Sequence, residues 1–94
     1  MSSAKPKTRL VRWLPPAENS LLNIVKFIAR DKPEAAELFA GQVGAAIASL
    51  TRLPNRARAG RVLSTRELVV HTNYIVVYRV TADTVDILRI RHAA

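Results

Sequence analysis

Cysteine is absent from this 94-residue chain, so neither a disulfide nor a thiolate metal site can contribute to its fold. A reducing, cytoplasmic compartment is the natural expectation. Aromatic residues make up 5%, too few for the array of stacking side chains with which proteins grip single-stranded nucleic acid. The three glycines, at 41, 44 and 60, are too scattered to form a phosphate-cradling loop, which argues against nucleoside triphosphate binding. His71 and His92 are the only histidines, and their spacing gathers no ligand set from one element, so neither a metal nor any other cofactor is expected. No apolar run approaches the roughly 20 residues that cross a bilayer. The basic first residues also lack the apolar core and cleavage site of a signal peptide, so no membrane partner is expected.

Acidic residues are scarce as well: 7 against 15 lysines and arginines, for a net charge of +8. The excess is uneven, with residues 1–12 carrying +4, residues 13–51 carrying −1 and residues 52–94 carrying +5. Eleven of the fifteen cations are arginine, whose planar fork suits fixed contacts to phosphate or carboxylate. An anionic partner follows, either nucleic acid or an acidic protein segment, unless the charge serves only solubility.

The length fits one domain. Residues 1–8 read as a basic flexible arm and residues 9–94 as the folded unit. Leu10-Val11-Arg12-Trp13-Leu14 reads as a first strand closed by Pro15-Pro16. Ala17, Leu21, Ile24, Val25 and Ile28 form one stripe of a helix from about Pro16 to Arg30. Pro33 opens a second helix, with Glu34 and Glu37 near its positive end and a stripe of Ala36, Phe39, Val43, Ile47 and Leu50. Small residues between them (Ala40, Gly41, Gly44, Ala45, Ala46, Ala48) either admit a close helix neighbour or are plain helix surface. After Leu53-Pro54 comes a basic loop, Asn55 to Gly60, containing Arg56 and Arg58.

Three apolar runs then follow, containing Thr65–Val70, Tyr74–Val80 and Val85–His92. The breaks His71-Thr72-Asn73 and Thr81-Ala82-Asp83 are too short for a parallel crossover, so these strands form an antiparallel meander. The expected fold is α+β, in the order β-α-α-β-β-β, with a helix hairpin packed on a small antiparallel sheet.

Strict alternation would place Tyr74, Val76, Tyr78 and Val80 on one face, and Ile75 and Val77 with Arg79 on the other. In the last strand it groups Asp86, Leu88, Ile90 and His92 against Val85, Ile87, Arg89 and Arg91. Two helices cover one face only. An apolar second face then implies either a protein partner, docking on residues such as Val77 and Ile87, or a sheet curved enough to close over itself. Metal-free RNA cleavage would need a base, an acid and cations, for which Arg66, Arg79, Arg89 and Arg91 with Glu67, His92 or Tyr78 are candidates. Trp13 reads as a core anchor at a strand end.

Taken in order, Ala17…Leu21…Ile24…Ile28, Pro33-Glu34-Ala35-Ala36, Leu53-Pro54, Gly60-Arg61, Thr65-Arg66-Glu67-Leu68, Tyr74–Val80 and Val85–His92 resemble the RelE/ParE superfamily of toxins from bacterial type II toxin–antitoxin modules, including the plasmid stabilisation type. The resemblance implies a cognate antitoxin wrapped around the chain, with operator DNA bound only through that antitoxin. It also distinguishes branches. Where RelE-like ribosome-dependent mRNA endonucleases place catalytic arginines, this chain has Ile75 and Val70, and Ala93-Ala94 stand where their C-terminal aromatic is found. The ParE-like branch, which inhibits DNA gyrase, is therefore the closer one. Its target-binding surface would comprise Arg61, Arg66, Arg79, Arg89, Arg91 and His92, with Arg56 and Arg58 contributing from the loop. The alternatives are an mRNA endonuclease acting on the ribosome, with Arg66, Glu67 and His92 as catalytic residues, or a member that retains only antitoxin binding.

Overall fold

Prolines set where both helices begin. The computed structural model describes residues 8–93, so the basic arm expected at 1–8 lies, apart from Thr8, outside the described residues. Strand β1 (Leu10–Trp13) runs into helix α1 (Pro15–Ala29), which carries proline in its first turn, where no amide partner is lost. Lys32 sits at φ −141°, ψ 82°, outside the helical region, because the ring of Pro33 crowds the residue before it. The chain therefore breaks there and restarts as α2 (Pro33–Ser49). Strands β2 (Arg58–Ala59), β3 (Arg66–His71), β4 (Tyr74–Val80) and β5 (Thr84–His92) complete the order.

The stripes read from the sequence are the faces that pack. Ala17 is buried with Leu21, Ile24, Val25 and Ile28 packed beside it, and α2 buries Ala36, Phe39, Val43 and Ile47, followed by Leu50. Helix α1 lies over β5 and α2 over β3. Gly41 and Gly44 are exposed, and a Cβ at either would meet nothing within 4 Å. Gly41, Gly44, Ala45 and Ala48 are therefore helix surface, whereas Ala46 is half-buried against the core. Among the described residues, no helix is long and apolar enough to cross a membrane.

The sheet departs from the expectation in two ways. Its order is β1-β5-β4-β3-β2, and β1 pairs with β5 in parallel, so the sheet is mixed. Short turns constrain only strands that are neighbours in sequence, and β3 to β5 do form the antiparallel meander. A connection spanning the helix hairpin and the meander leaves the direction of β1 unconstrained. The basic loop also contains the short edge strand β2, paired with β3.

Two bulges shift the phase of the strands. Val77 pairs with Arg89 while Tyr78 pairs with Ile87, which leaves Leu88 as the extra residue on β5. Val69 pairs with Ile75 and His71 with Tyr74, which leaves Val70 extra on β3. At the other end of β4, the buried Tyr78 hydroxyl donates to Pro54 O at 2.7 Å and pins the loop after α2 against the sheet.

Replacing Gly41 and Gly44 by alanine should each raise unfolding free energy by about 0.5–1 kcal/mol, because both occupy open helix surface. Urea denaturation of the single variants checks this; a loss of stability would mean that the α2 surface is not open.

Candidate functional site: the outer face of the sheet

Directly paired residues point to the same side of a sheet, so the register fixes two faces. Toward the helices point Leu68, Val76, Tyr78, Val85, Ile87 and Ile90, all members of one buried cluster. The bulge at Leu88 is what brings Ile87 and Ile90 to that side together, against the strict alternation expected. The outer face consists of three cross-strand rows: Arg12, Asp86 and Arg79; Arg58, Glu67, Val77 and Arg89; Val69, Ile75 and Arg91.

Both carboxylates in these rows are buried. Asp86 accepts two bonds from Arg12, at 3.0 Å from Nε and 2.7 Å from Nη2, in the bidentate geometry that arginine favours. Thr84 Oγ1 donates to Asp86 Oδ1 at 2.8 Å. The Arg12 bonds, then Thr84 and the nearby charge of Arg79, hold the Asp86 carboxyl below its ordinary range although burial opposes them.

Glu67 is more centrally tied. Its Oε2 accepts from the Arg61 amide at 3.1 Å, and its Oε1 lies 3.1 Å from Arg91 Nη2 and 3.4 Å from Arg58 Nη2. The amide of Arg61, followed by the Arg91 and Arg58 guanidinium groups, keeps this carboxyl below its usual range in spite of burial. Arg91 Nη2 makes no hydrogen bond, so its tie to Glu67 is an ion pair at close range without good donor alignment, while Nη1 donates to His92 O at 3.0 Å.

Arg91 is on β5 and Glu67 on β3, with β4 between them. The Arg91 side chain must therefore cross the face of β4, and it is only 15% exposed. Its aliphatic stem thus covers apolar residues of β4. Ile75 and Val77 are 2% and 5% exposed, although among the described residues no helix lies on their side. Ile75 and Val77 are therefore not the uncovered apolar surface expected from the sequence, and the Arg91 side chain passes over this part of β4. Ile87 is fully buried under the helices. Neither Val77 nor Ile87 offers surface for an antitoxin to dock on.

The remaining site residues divide between the faces. Arg79 and Arg89 are exposed on the outer face, and Arg58 and Arg12 stand beside them. Arg61 is exposed in the turn between β2 and β3, and Arg56 in the loop after α2 donates to Ser49 Oγ at 2.7 Å. Arg66 pairs with Tyr78 and so faces the helix side, where Nη1 donates to Ala57 O at 2.8 Å and Asn55 O at 3.3 Å. His92 also faces that side, edge-on to Tyr74 with ring centroids 5.4 Å apart. Arg66 and His92 pair with Tyr78 and Tyr74, four residues apart on β4, or about 13 Å along the strand. Glu67 points the other way. Burial raises the Tyr78 phenol above its ordinary value, and its hydroxyl, with no exposed surface, is committed to Pro54 O.

Sequence reasoning missed the Arg12–Asp86 pair, since it depends on β1 choosing β5. It also missed a second surface, a cavity of about 500 Å³ lined by Trp13, Glu18, Leu21, Leu22 and Val25, beside edge strand β1. Trp13 is half-buried against the core and also forms part of this wall.

Residues 11–94 match the family described as the ParE toxin of the type II toxin–antitoxin system parDE. Protein Y4kP of Sinorhizobium fredii is 39% identical over 84 residues, covering 88% of this chain and 86% of that protein. Toxin RelE2 of Caulobacter vibrioides is 38% identical over 84 residues, covering 89% and 94%. Among solved structures, a chain of the chromosomal ParDE TA system from P. aeruginosa is similar with a TM-score of 0.84 and 21% identity, covering 94% of this chain and 99% of that one.

Glu67→Gln should destabilise the fold by about 3 kcal/mol, because it leaves Arg91 buried without a counter-charge. Both outer-face carboxyls titrate below their unfolded values of roughly 4. Their contribution is complete above that pH and is lost as pH falls through the depressed folded values. Stability should therefore drop on acidification below about pH 4, and more shallowly in Glu67→Gln. Urea midpoints at stepped pH measure both effects.

Proposed function

This chain belongs to the ParE toxin family of type II toxin–antitoxin systems, and we propose that it acts by binding, as a cytoplasmic inhibitor of DNA gyrase that a cognate antitoxin neutralises. The observation that carries this reading is the dispersal of the groups a metal-free nuclease would gather. General acid–base catalysis needs its proton carriers within hydrogen-bond reach of one reacting centre. Arg66 and His92 are apart on the helix side, and Glu67 is buried and ion-paired on the other. Val70 is a half-buried bulge residue and Ile75 is covered, so neither position supplies a phosphate-stabilising charge.

Arg12, Arg58, Arg79 and Arg89 instead stand on a rigid sheet, an arrangement that favours docking on an anionic surface. The groove of Trp13, Leu21, Leu22 and Val25 supplies the apolar docking surface for an antitoxin segment, in place of the buried Val77 and Ile87. The RelBE2 neighbour from Mycobacterium tuberculosis is a toxin–antitoxin complex, with a TM-score of 0.65 and 26% identity. A partner of that kind, with acidic residues beside its apolar ones, suits a chain of charge +8.

Purified, antitoxin-free protein should block gyrase supercoiling and cause linear DNA to accumulate. The double substitution Arg79→Ala/Arg89→Ala should weaken that inhibition at least about tenfold while the melting midpoint changes little, since Asp86 keeps its bidentate bond to Arg12. Codon-dependent mRNA cleavage on ribosomes, with gyrase unaffected, would overturn the reading. Leu22→Asp should weaken antitoxin binding about tenfold, as read by calorimetry.

A further inference from the structure

The turn between β2 and β3 holds large apolar side chains in water on a rigid frame. Val62 O accepts from Thr65 N at 3.1 Å and from Thr65 Oγ1 at 2.6 Å. Gly60 N donates to Thr65 O at 2.8 Å, and the Arg61 amide donates to the buried Glu67. Ser64 takes the left-handed conformation, φ 68°, which a side-chain-bearing residue adopts only at a cost. A Cβ at position 60 would collide with Thr65 Oγ1 and crowd its backbone, so a larger residue there would displace Thr65 and with it the turn. At its tip Leu63 is 90% exposed and Val62 59% exposed. Turn tips are ordinarily polar.

The charge around the tip is of one sign. From residue 38 to residue 82 the only carboxylate is Glu67, and it is buried and paired. Arg52, Arg56, Arg58 and Arg61 are all exposed in the adjoining segments. The loop after α2 approaches the turn across a cavity of about 360 Å³ lined in part by Asn55, Ser64, Thr65 and Arg66. Edge strand β2 is also at the opposite side of the sheet from β1 and its apolar groove.

We propose that the Val62–Thr65 turn is a preformed docking probe, with Leu63 entering an apolar recess of the target protein and the surrounding arginines meeting an acidic rim. The proposal deepens the binding-inhibitor reading and rests on it. A nucleic-acid backbone would give Leu63 and Val62 nothing to bury against. A lipid surface is served by a broad amphipathic helix, not by two adjacent side chains on a tight turn. The rigid frame matters because it removes the ordering cost that a mobile loop would incur on binding. Because the turn and the groove occupy opposite edges, the probe is separate from the proposed antitoxin surface.

The test uses the full chain and three single variants: Leu63→Ser, which removes the probe; Gly60→Ala, which displaces it without altering its exposed residues; and Leu38→Ser, an exposed leucine of α2, as control. Gyrase inhibition by Leu63→Ser should fall about ten- to a hundredfold, with unchanged melting midpoint and unchanged antitoxin affinity. Gly60→Ala should also lose inhibition, and Leu38→Ser should match wild type. Growth arrest after induction without antitoxin provides a reading that does not depend on the target's identity. If wild type arrests growth without touching gyrase, the gyrase assignment falls, while loss of arrest in Leu63→Ser still supports the probe. Full arrest by Leu63→Ser, an equal loss of antitoxin affinity, or Leu63-dependent binding to anionic phosphatidylserine vesicles would each overturn it.

Discussion

One buried carboxylate organises the side of this protein that faces away from its helices. Glu67 accepts the Arg61 amide and meets the guanidinium groups of Arg58 and Arg91, so it joins β2, the turn after it, β3 and β5. Burying an ion is costly unless charge and hydrogen bonds surround it, and here both do. The Arg91 side chain is thereby drawn across β4, on the side of the buried Ile75 and Val77, where a long stem can lie over apolar surface. Among the described residues two helices pack on one side of the sheet, and the other side closes in this way while leaving a cationic surface.

The same interaction links packing to function. Arg91 and Arg58 are partly spent on Glu67, and Arg12 on Asp86, whereas Arg79 and Arg89 stand exposed among them. Arginine is suited to both roles because its charge is permanent and its fork can hold one partner while a long stem covers apolar surface. The outer face therefore owes its rigidity to the acids beneath it and its attraction for anions to the cations left over. Val69 is the exposed apolar residue of its three rows, and the larger apolar surfaces are at the edges of the sheet. They lie in the groove beside β1 and at the tip of the β2–β3 turn, on opposite edges.

Helix positions were legible because they depend on local rules. The period of Ala17, Leu21, Ile24 and Ile28, and the prolines at 15, 16 and 33, act within a few residues of themselves. The meander was legible for a similar reason, since short breaks forbid a crossover. The faces of β5 were not, because one extra residue at Leu88 inverts the alternation that any pattern-based reading assumes. The apolar spacing of Val85, Ile87 and Ile90 contains the signal, a step of two followed by a step of three, but helix burial is needed to interpret it.

The sequence by itself determined the α+β class, both helices with their buried stripes, the antiparallel run of the last three strands and the basic character of the surface. These follow from local periodicity, chain stiffness at proline and composition. Only the tertiary structure decided that β1 joins β5 in parallel, which arginines share a face, and that Arg66, Glu67 and His92 do not meet. It also decided that Ile75 and Val77 are covered from within the chain. Those outcomes depend on register between strands distant in sequence and on one bulge. Neither long-range register nor an added residue in a strand leaves a unique mark in the order of the amino acids.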